Sequence, residues 1–151
     1  MFLVAIVVFG IAFAYYASML SQRNAVKSLQ KLGGTIPSQH GPINRVQVWY
    51  SHDVSFDKSE ERFKFDFSTT SDWIVEHFGR DFQSTPSVIE IHPPREKGKP
   101  SLTQEMIEKI HQMRGVRQIW ISKLNYPDGT VNNEHEKLSQ WFPDLIVASP
   151  Q

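Results

Sequence analysis

Histidine is the side chain in this sequence best suited to binding a metal or moving a proton near neutral pH. The six histidines match no zinc spacing such as H-E-x-x-H. The nearest arrangement is His77 with Asp81, four residues apart at a predicted helix end, where a surface pair or a helix cap is the simpler explanation. We therefore predict no metal site and no cofactor. The histidines are His40, His52, His77, His92, His111 and His135.

Other arrangements of catalytic residues are equally hard to find. The stretch "NEHEK" at 133–137 places two carboxylates beside His135, but neighbours in sequence face different directions on a helix, so we predict a solvated helix face. There is no G-x-S-x-G motif. Gly33-Gly34 follows a predicted helix, so it cannot present a helix N-terminus to a phosphate. The sequence thus predicts that the chain is not an enzyme, and no small-molecule substrate is evident.

The composition removes further classes of function. The 151 residues include no cysteine, which excludes disulfides, thiolate metal sites and thiol catalysis. All sixteen acidic residues lie from Asp53 onward, together with twelve basic residues, so this part has a formal charge of −4. A mildly acidic domain without a basic stripe predicts no nucleic-acid partner.

The N-terminal segment has the composition of a membrane helix. Residues 2–20, "FLVAIVVFGIAFAYYASML", contain no charge and no proline, and nineteen residues at about 1.5 Å each span roughly 30 Å of hydrocarbon. A cleaved signal peptide would have a basic start and small residues before the cut, where Met19 and Leu20 stand instead. We predict a transmembrane helix over 1–21, in contact with the membrane through residues 2–20.

Charge next to this helix predicts its orientation. Arg23, Lys27 and Lys31 follow the apolar run, and only the α-amino group precedes it. Basic residues beside a membrane helix favour the cytoplasmic side, which predicts a single-pass membrane protein with a cytoplasmic domain. A few basic residues ahead of Phe2 would reverse that orientation.

A juxtamembrane helix and linker are predicted over 22–42. Val26, Leu29 and Leu32 fall on one helical face, and Gly33-Gly34 is a natural end for the helix. The anchor helix is therefore expected to continue into water for about three turns.

The next part of the chain predicts two strands and a helix. Residues 43–51 and 62–68 each alternate apolar and polar side chains, which predicts an antiparallel pair joined by a turn over 52–61. Residues 70–82 predict a short helix. Its core residues would be Trp73, Ile74 and Phe78.

The latter half alternates strand, helix, strand, helix, strand, over residues 87–92, 102–114, 116–122, 133–142 and 144–149. Such alternation predicts parallel strands joined by right-handed crossovers. The strand centres Ile89, Ile119 and Leu145 are 30 and 26 residues apart. A period near 28 is typical of the longer leucine-rich repeats.

Residues 102–121, "LTQEMIEKIHQMRGVRQIWI", resemble the leucine-rich repeat L-T-x-x-x-L-x-x-L-x-x-L-x-x-L-x-x-L-x-L. The matching positions are Leu102, Thr103, Ile107, Ile110, Met113, Val116, Ile119 and Ile121. The whole chain resembles the short membrane-anchored leucine-rich-repeat proteins of planctomycete bacteria. Their segments "R-x-A-V-x-x-L-x-x-L-G-G", "W-L-x-x-x-x-G-x-D-F" and "L-x-x-x-L-P-N-x-x-I" are similar to residues 23–34, 73–82 and 138–147.

The resemblance implies an α/β fold in which a transmembrane helix precedes a small leucine-rich-repeat-like domain over 43–151. The domain would have parallel strands, capped by an antiparallel β pair and a helix. Family members usually carry basic residues before the anchor and several repeats, whereas this chain has about one full repeat, which shrinks any concave binding face. No catalytic residues accompany the resemblance, which implies a scaffold that binds or positions something.

A candidate protein-binding face follows from strand alternation. Ile119 and Ile121 are predicted to point inward and their neighbours outward. The candidate residues of this face are Glu90, His92, Gln118, Trp120 and Ser122. Trp120 would be the anchor, because tryptophan often dominates binding energy. A large exposed apolar patch is unusual on a small domain, so the interpretation that we favour is that the antiparallel pair within 43–67 covers this face.

Two non-catalytic functions remain open. The first is a membrane-anchored interaction or scaffold module with an unknown protein partner. The second is an accessory structural subunit of a larger membrane protein complex, in which the anchor itself packs against partners. Small residues that allow close helix approach are Gly10, Ala12, Ala14 and Ala17.

Overall fold

The computed structural model describes residues 2–51, 54–57, 62–65 and 85–147, with side chains for 4–51 and 85–147. The predicted helix over 70–82 and its three core residues lie outside the described residues. In chain order the strands are β1 (Thr35–Ile36), β2 (Ile43–Asn44), β3 (Val46–Tyr50), β4 (Val54–Asp57), β5 (Arg62–Phe65), β6 (Pro86–Ile91), β7 (Gln118–Ile121) and β8 (Ile146–Val147). The α-helices are α1 (Phe2–Gly33), α2 (Gln104–His111) and α3 (Leu138–Trp141), and a 3₁₀ turn, Glu134–Lys137, precedes α3.

Helix α1 is continuous over 32 residues and divides into two parts by burial. Residues 4–17 are exposed along their whole length, whereas Ala25, Val26 and Leu29 are buried in the domain. Leu32, which the spacing places on the same helical face as Val26 and Leu29, is 37% exposed. The C-terminal part of α1 is thus a core element of the domain.

The glycine pair ends α1 as predicted. Gly34 has a φ of 70°, a left-handed conformation that glycine adopts without strain, and its N–H donates to the carbonyl of Gln30 at 3.1 Å. Gly33 allows close packing, because a Cβ there would lie 2.6 Å from Val46 Cγ2. The helix end therefore abuts the first strand of the main sheet.

The main sheet has four strands in the order β3-β6-β7-β8. Strands β6, β7 and β8 are parallel neighbours, which confirms the predicted parallel strands, and β3 pairs antiparallel with β6. The result is a mixed sheet whose parallel part follows the chain order. Strands β6, β7 and β8 lie within the predicted ranges to within one residue, and β7 and β8 are shorter than predicted.

The predicted antiparallel cap is wrong in its pairing. Strand β3 pairs with β6, where Val46 lies opposite Ile91, and not with β5. Strand β5 pairs instead with β4, in a segment predicted to be a turn. Alternation specifies which side of a strand is buried but not its partner, and a longer connection adds little closure entropy.

Helix α2 begins at a side-chain cap and packs against α1 and the sheet. Thr103 Oγ1 accepts a hydrogen bond from the Met106 N–H at 3.3 Å. The buried residues of this helix are Met106, Ile107 and Ile110. The apolar positions of residues 102–121 are all in or against the core, as their spacing predicts. The core cluster also takes in Leu29, Val46, Ile89, Ile91, Leu138 and Phe142.

The Arg45 side chain links three backbone segments near the carboxyl end of β6. Its guanidinium donates to three backbone carbonyls: Gly33 at 3.2 Å, His92 at 3.0 Å and Ser101 at 3.4 Å. Burial lowers the pKa of the Arg45 guanidinium from its usual value, while nearby Glu134 and Tyr126 act to raise it. The ordinary value is high enough that the side chain remains a cation, and it ties the end of α1 to the loop after β6.

Candidate interaction face of the sheet

The two faces of the main sheet differ in what they contact. One face packs on the helices through Val46, Val48, Ile89, Ile91, Ile119 and Ile121. The opposite face, here called the outer face, carries Gln47, Trp49, Val88, Glu90, Gln118, Trp120 and Ile146. Directly paired residues share a face, so strand register sets these rows.

One row of the outer face joins Gln47, Glu90 and Trp120, and the next joins Trp49, Val88, Gln118 and Ile146. His92 and Ser122 follow the last residues of β6 and β7, on the same side as Glu90 and Trp120 by strand alternation. The predicted candidates are therefore neighbours in space, although 32 residues separate Glu90 from Ser122 along the chain.

Glu90 is the centre of a polar group, here called the Glu90 cluster, that comprises Gln47, Glu90, His92 and Ser122. Ser122 Oγ donates to Glu90 Oε1 at 2.9 Å, and His92 Nε2 lies 3.6 Å from the same oxygen. Gln47 Nε2 lies 3.2 Å from His92 Nε2. His92 Nε2 thus lies close to both a carboxylate and an amide, and whether it accepts from the Gln47 amide depends on the imidazole tautomer.

The Glu90 cluster is held by the backbone around it. His92 donates its N–H to the Arg45 carbonyl at 2.7 Å and accepts from Arg45 Nε through its own carbonyl at 3.0 Å. The Ser122 N–H donates to the Ile91 carbonyl at 2.8 Å. These bonds fix where the two side chains leave the strand ends, so the cluster has a preformed geometry.

The candidates differ in how much surface they offer. The side chains of Glu90 and His92 are 19% and 21% exposed, and Trp120 and Ser122 are half-buried. Gln118 lies on the predicted face but is 3% exposed, and its Oε1 has no hydrogen-bond partner among the described residues. Gln118 is therefore not a contact residue in the free chain.

Coverage of the outer face is uneven. Val88 is fully buried without belonging to the helix-side core cluster, whereas Ile146 in the edge strand is 59% exposed. The predicted cover, an antiparallel pair within 43–67, cannot form as predicted because β3 is itself a strand of the sheet. Accessible surface remains around Glu90, His92, Trp120 and Ser122.

The outer face offers hydrogen-bonding groups and the aromatic surface of Trp120. In a Ser–His–acid triad the imidazole lies between hydroxyl and carboxylate, but here Ser122 donates directly to Glu90. Among the residues that the structure describes, no group of three His, Cys, Asp or Glu could hold a metal ion. Two pockets lie elsewhere on the domain, and no residue of the outer face lines them; their volumes of about 170 and 150 Å³ are smaller than the roughly 300 Å³ of typical small-molecule sites.

The sequence alone does not place Gln47 on the outer face, and it does not predict the contact between the loop at 112–117 and α1. Gln47 was assigned to a separate hairpin, although its polar position in the alternating stretch 43–51 was visible. The loop at 112–117 folds back on α1, and no local pattern signals that contact.

Comparisons with known proteins add no relative: no protein-family model, no curated protein and no solved structure matches this chain.

Proposed function

We propose that the chain is a single-pass membrane protein whose α/β domain binds another protein at the membrane surface without catalysing a reaction. One observation carries the proposal. A single unbroken helix joins an exposed apolar half to a half buried in the domain core. Because the helix is continuous, the environment that holds its exposed N-terminal half also holds the domain in place.

The exposed half of α1 favours a lipid environment. The helix is long and apolar enough to span a membrane, and none of its most apolar window is buried within the chain. Phe9 and Phe13 are 77% and 73% exposed. An apolar surface this large marks a membrane or protein contact rather than a surface in water.

Protein binding is supported by the chemistry of the outer face. Trp120 supplies half-buried aromatic surface beside the Glu90 cluster, which offers hydrogen-bonding groups from three strands. An aromatic anchor with polar groups around it is the usual composition of a binding hot spot.

A leucine-rich-repeat architecture is the finer part of the proposal. Its support is that β6, β7 and β8 lie side by side in chain order and that the apolar repeat positions pack in or against the core. The antiparallel edge strand β3 would then be the N-terminal cap.

The domain is proposed to lie on the cytoplasmic side. Arg23, Lys27 and Lys31 follow the apolar run within eleven residues, which favours that side. Protease added to intact spheroplasts should leave the domain uncut, and should digest it after lysis. Digestion before lysis would reverse the orientation.

The anchor is tested by washing membranes with alkaline carbonate. The wild type should stay in the pellet. A Phe9→Asp, Phe13→Asp variant should move to the supernatant, because each central charge costs about 3 kcal/mol of insertion free energy. The matched Phe9→Leu, Phe13→Leu variant should stay with the wild type. Release of the wild type would contradict the anchor.

A second candidate is an accessory subunit whose anchor packs against another membrane helix. Gly10 and Ala14 are four residues apart on the exposed helix, and a Cβ at Gly10 would meet nothing within 4 Å. Gentle detergent extraction and size analysis distinguish the two candidates, because a lone monomer argues against a subunit.

A further inference from the structure

The position of the membrane along α1 sets the depth of everything that touches the helix. Residues 2–20 span about 28 Å, close to the roughly 30 Å of hydrocarbon in a bilayer. The headgroup layer adds about 5–7 Å on each side, which corresponds to about four helical residues. Ser21 and Gln22 therefore lie at the depth of the lipid phosphates.

The loop after α2 is held at this same depth. Gln22 Nε2 donates to the backbone carbonyl of Arg114 at 2.7 Å, and Arg114 Nη1 lies 3.5 Å from Ser18 Oγ. Helix α2 also packs along α1, so the loop cannot move away independently. The fold thus places the Arg114 guanidinium beside the part of α1 that lies at the membrane surface.

A cleft of about 150 Å³ opens between α1 and this loop. Its lining residues are Ser18, Ser21, Gln22, Gln112 and Arg114. These side chains provide one guanidinium, two hydroxyls and two carboxamides, with no carboxylate among them. The Arg114 guanidinium has five N–H donors, and its only hydrogen bond to the described chain is the long contact with Ser18. The set matches the needs of a phosphate group, which accepts hydrogen bonds and bears negative charge.

We infer that this cleft binds the phosphate of a membrane lipid headgroup, with Arg114 as its charged ligand and the hydroxyls and carboxamides of α1 and Gln112 as further donors. The inference rests on the proposed membrane anchor. Bound lipid would clamp the domain at a fixed angle to the bilayer, since the clamp joins α1, the loop and the headgroup layer.

Geometry favours a lipid over free phosphate as the source of this group. The cleft lies directly beside the end of the apolar run, so acyl chains of the same lipid can lie along the exposed half of α1. Free phosphate would gain only the polar contacts.

The test uses the full chain in a non-ionic detergent, with native mass spectrometry to count retained molecules. The probes are dioleoylphosphatidylglycerol, dioleoylglycerol with the same tails and no phosphate, and inorganic phosphate as competitor. The wild type should retain phosphatidylglycerol about fivefold better than Arg114→Gln. The wild type should hold dioleoylglycerol no better than the variant does.

Arg95→Gln is the matched control, because Arg95 is an exposed arginine in the loop after β6, at the opposite end of the parallel strands. It should retain phosphatidylglycerol like the wild type. Arg114→Gln leaves the backbone carbonyl bonded to Gln22 in place, and its circular dichroism melting curve should match the wild type. Arg114→Lys, which keeps the charge, should retain an intermediate amount.

Equal retention of phosphatidylglycerol by wild type and Arg114→Gln would overturn the site. Displacement of phosphatidylglycerol by millimolar inorganic phosphate would contradict a lipid ligand and would identify the cleft as a site for the free anion. The carbonate wash tests the membrane anchor separately, because lipid retention in detergent does not require that α1 span a membrane.

Discussion

Gln22 and Arg114 lie 92 residues apart in sequence, yet the Gln22 amide donates to the Arg114 carbonyl at 2.7 Å. Together with the packing of α2 on α1, this bond makes the C-terminal part of α1 a structural part of the domain. In the proposed membrane arrangement, a domain docked in this way presents one end of its sheet to the bilayer. The loops at the carboxyl ends of the parallel strands lie at the other end of the sheet, near the C-terminal end of α1.

Leu29→Ala tests whether α1 is a core element of the domain. Leu29 is 0% exposed, so truncation should lower the free energy of unfolding by about 2–5 kcal/mol through a cavity in the core. Leu32→Ala is the control on the same helix and should change it by about 0.5 kcal/mol, since Leu32 is 37% exposed. Urea titration of the full chain in detergent, followed by tryptophan fluorescence, measures both. Equal effects would mean that the domain folds independently of α1.

Trp120→Ala tests the outer face as a binding surface. Removal of a tryptophan anchor should weaken partner binding by about 2 kcal/mol or more, seen as loss of a crosslinked band in membranes treated with a short crosslinker. The melting temperature should change little. Ile119→Ala, one residue away on the buried face, should instead lower the melting temperature. A Trp120→Ala variant that melts early with an unchanged band would identify Trp120 as core.

Arg45→Ala should destabilise the domain by at least about 2 kcal/mol, because it leaves three partly buried carbonyls without a donor. Arg45→Lys should recover little, since one ammonium cannot reproduce a guanidinium fork that reaches three acceptors. Hydrogen exchange of residues 92–101 should accelerate in both variants. Arg95→Ala in the same segment should leave exchange unchanged, and acceleration there would point to a general effect of losing charge.

Asp128 should make stability depend on acid pH. The hydrogen bond from Lys97, at 2.5 Å, and those from Thr130 hold the pKa of Asp128 well below its usual 3.8. A carboxyl whose pKa is depressed in the folded state stabilises it above the unfolded pKa and loses that contribution as pH falls through the folded one. Asp128→Asn should therefore melt at a lower temperature than wild type at pH 7, and the gap should narrow below about pH 4. A difference in melting temperature that stays constant with pH would show that ionisation of Asp128 does not cause it.

The site was only partly predictable from the sequence. Strand alternation placed Glu90 and Trp120 on one face, because alternation is a local property of extended chain. It did not place Gln47 beside His92, since that contact depends on β3 pairing with β6 across 45 residues. Nor could it show that Gln118 is buried, because the pattern gives the side of the sheet and not what lies over it.

By itself, the sequence determined the long apolar helix and its end at Gly33-Gly34, the parallel strands of the latter half, and the inward residues of 102–121. Each of these follows from the spacing of apolar, glycine and capping residues within a single segment. The tertiary structure alone decided that Val46 pairs with Ile91 and that Arg114 lies beside Ser18. Such contacts join surfaces that are compatible with several partners, and the choice among them is made by packing the whole core at once.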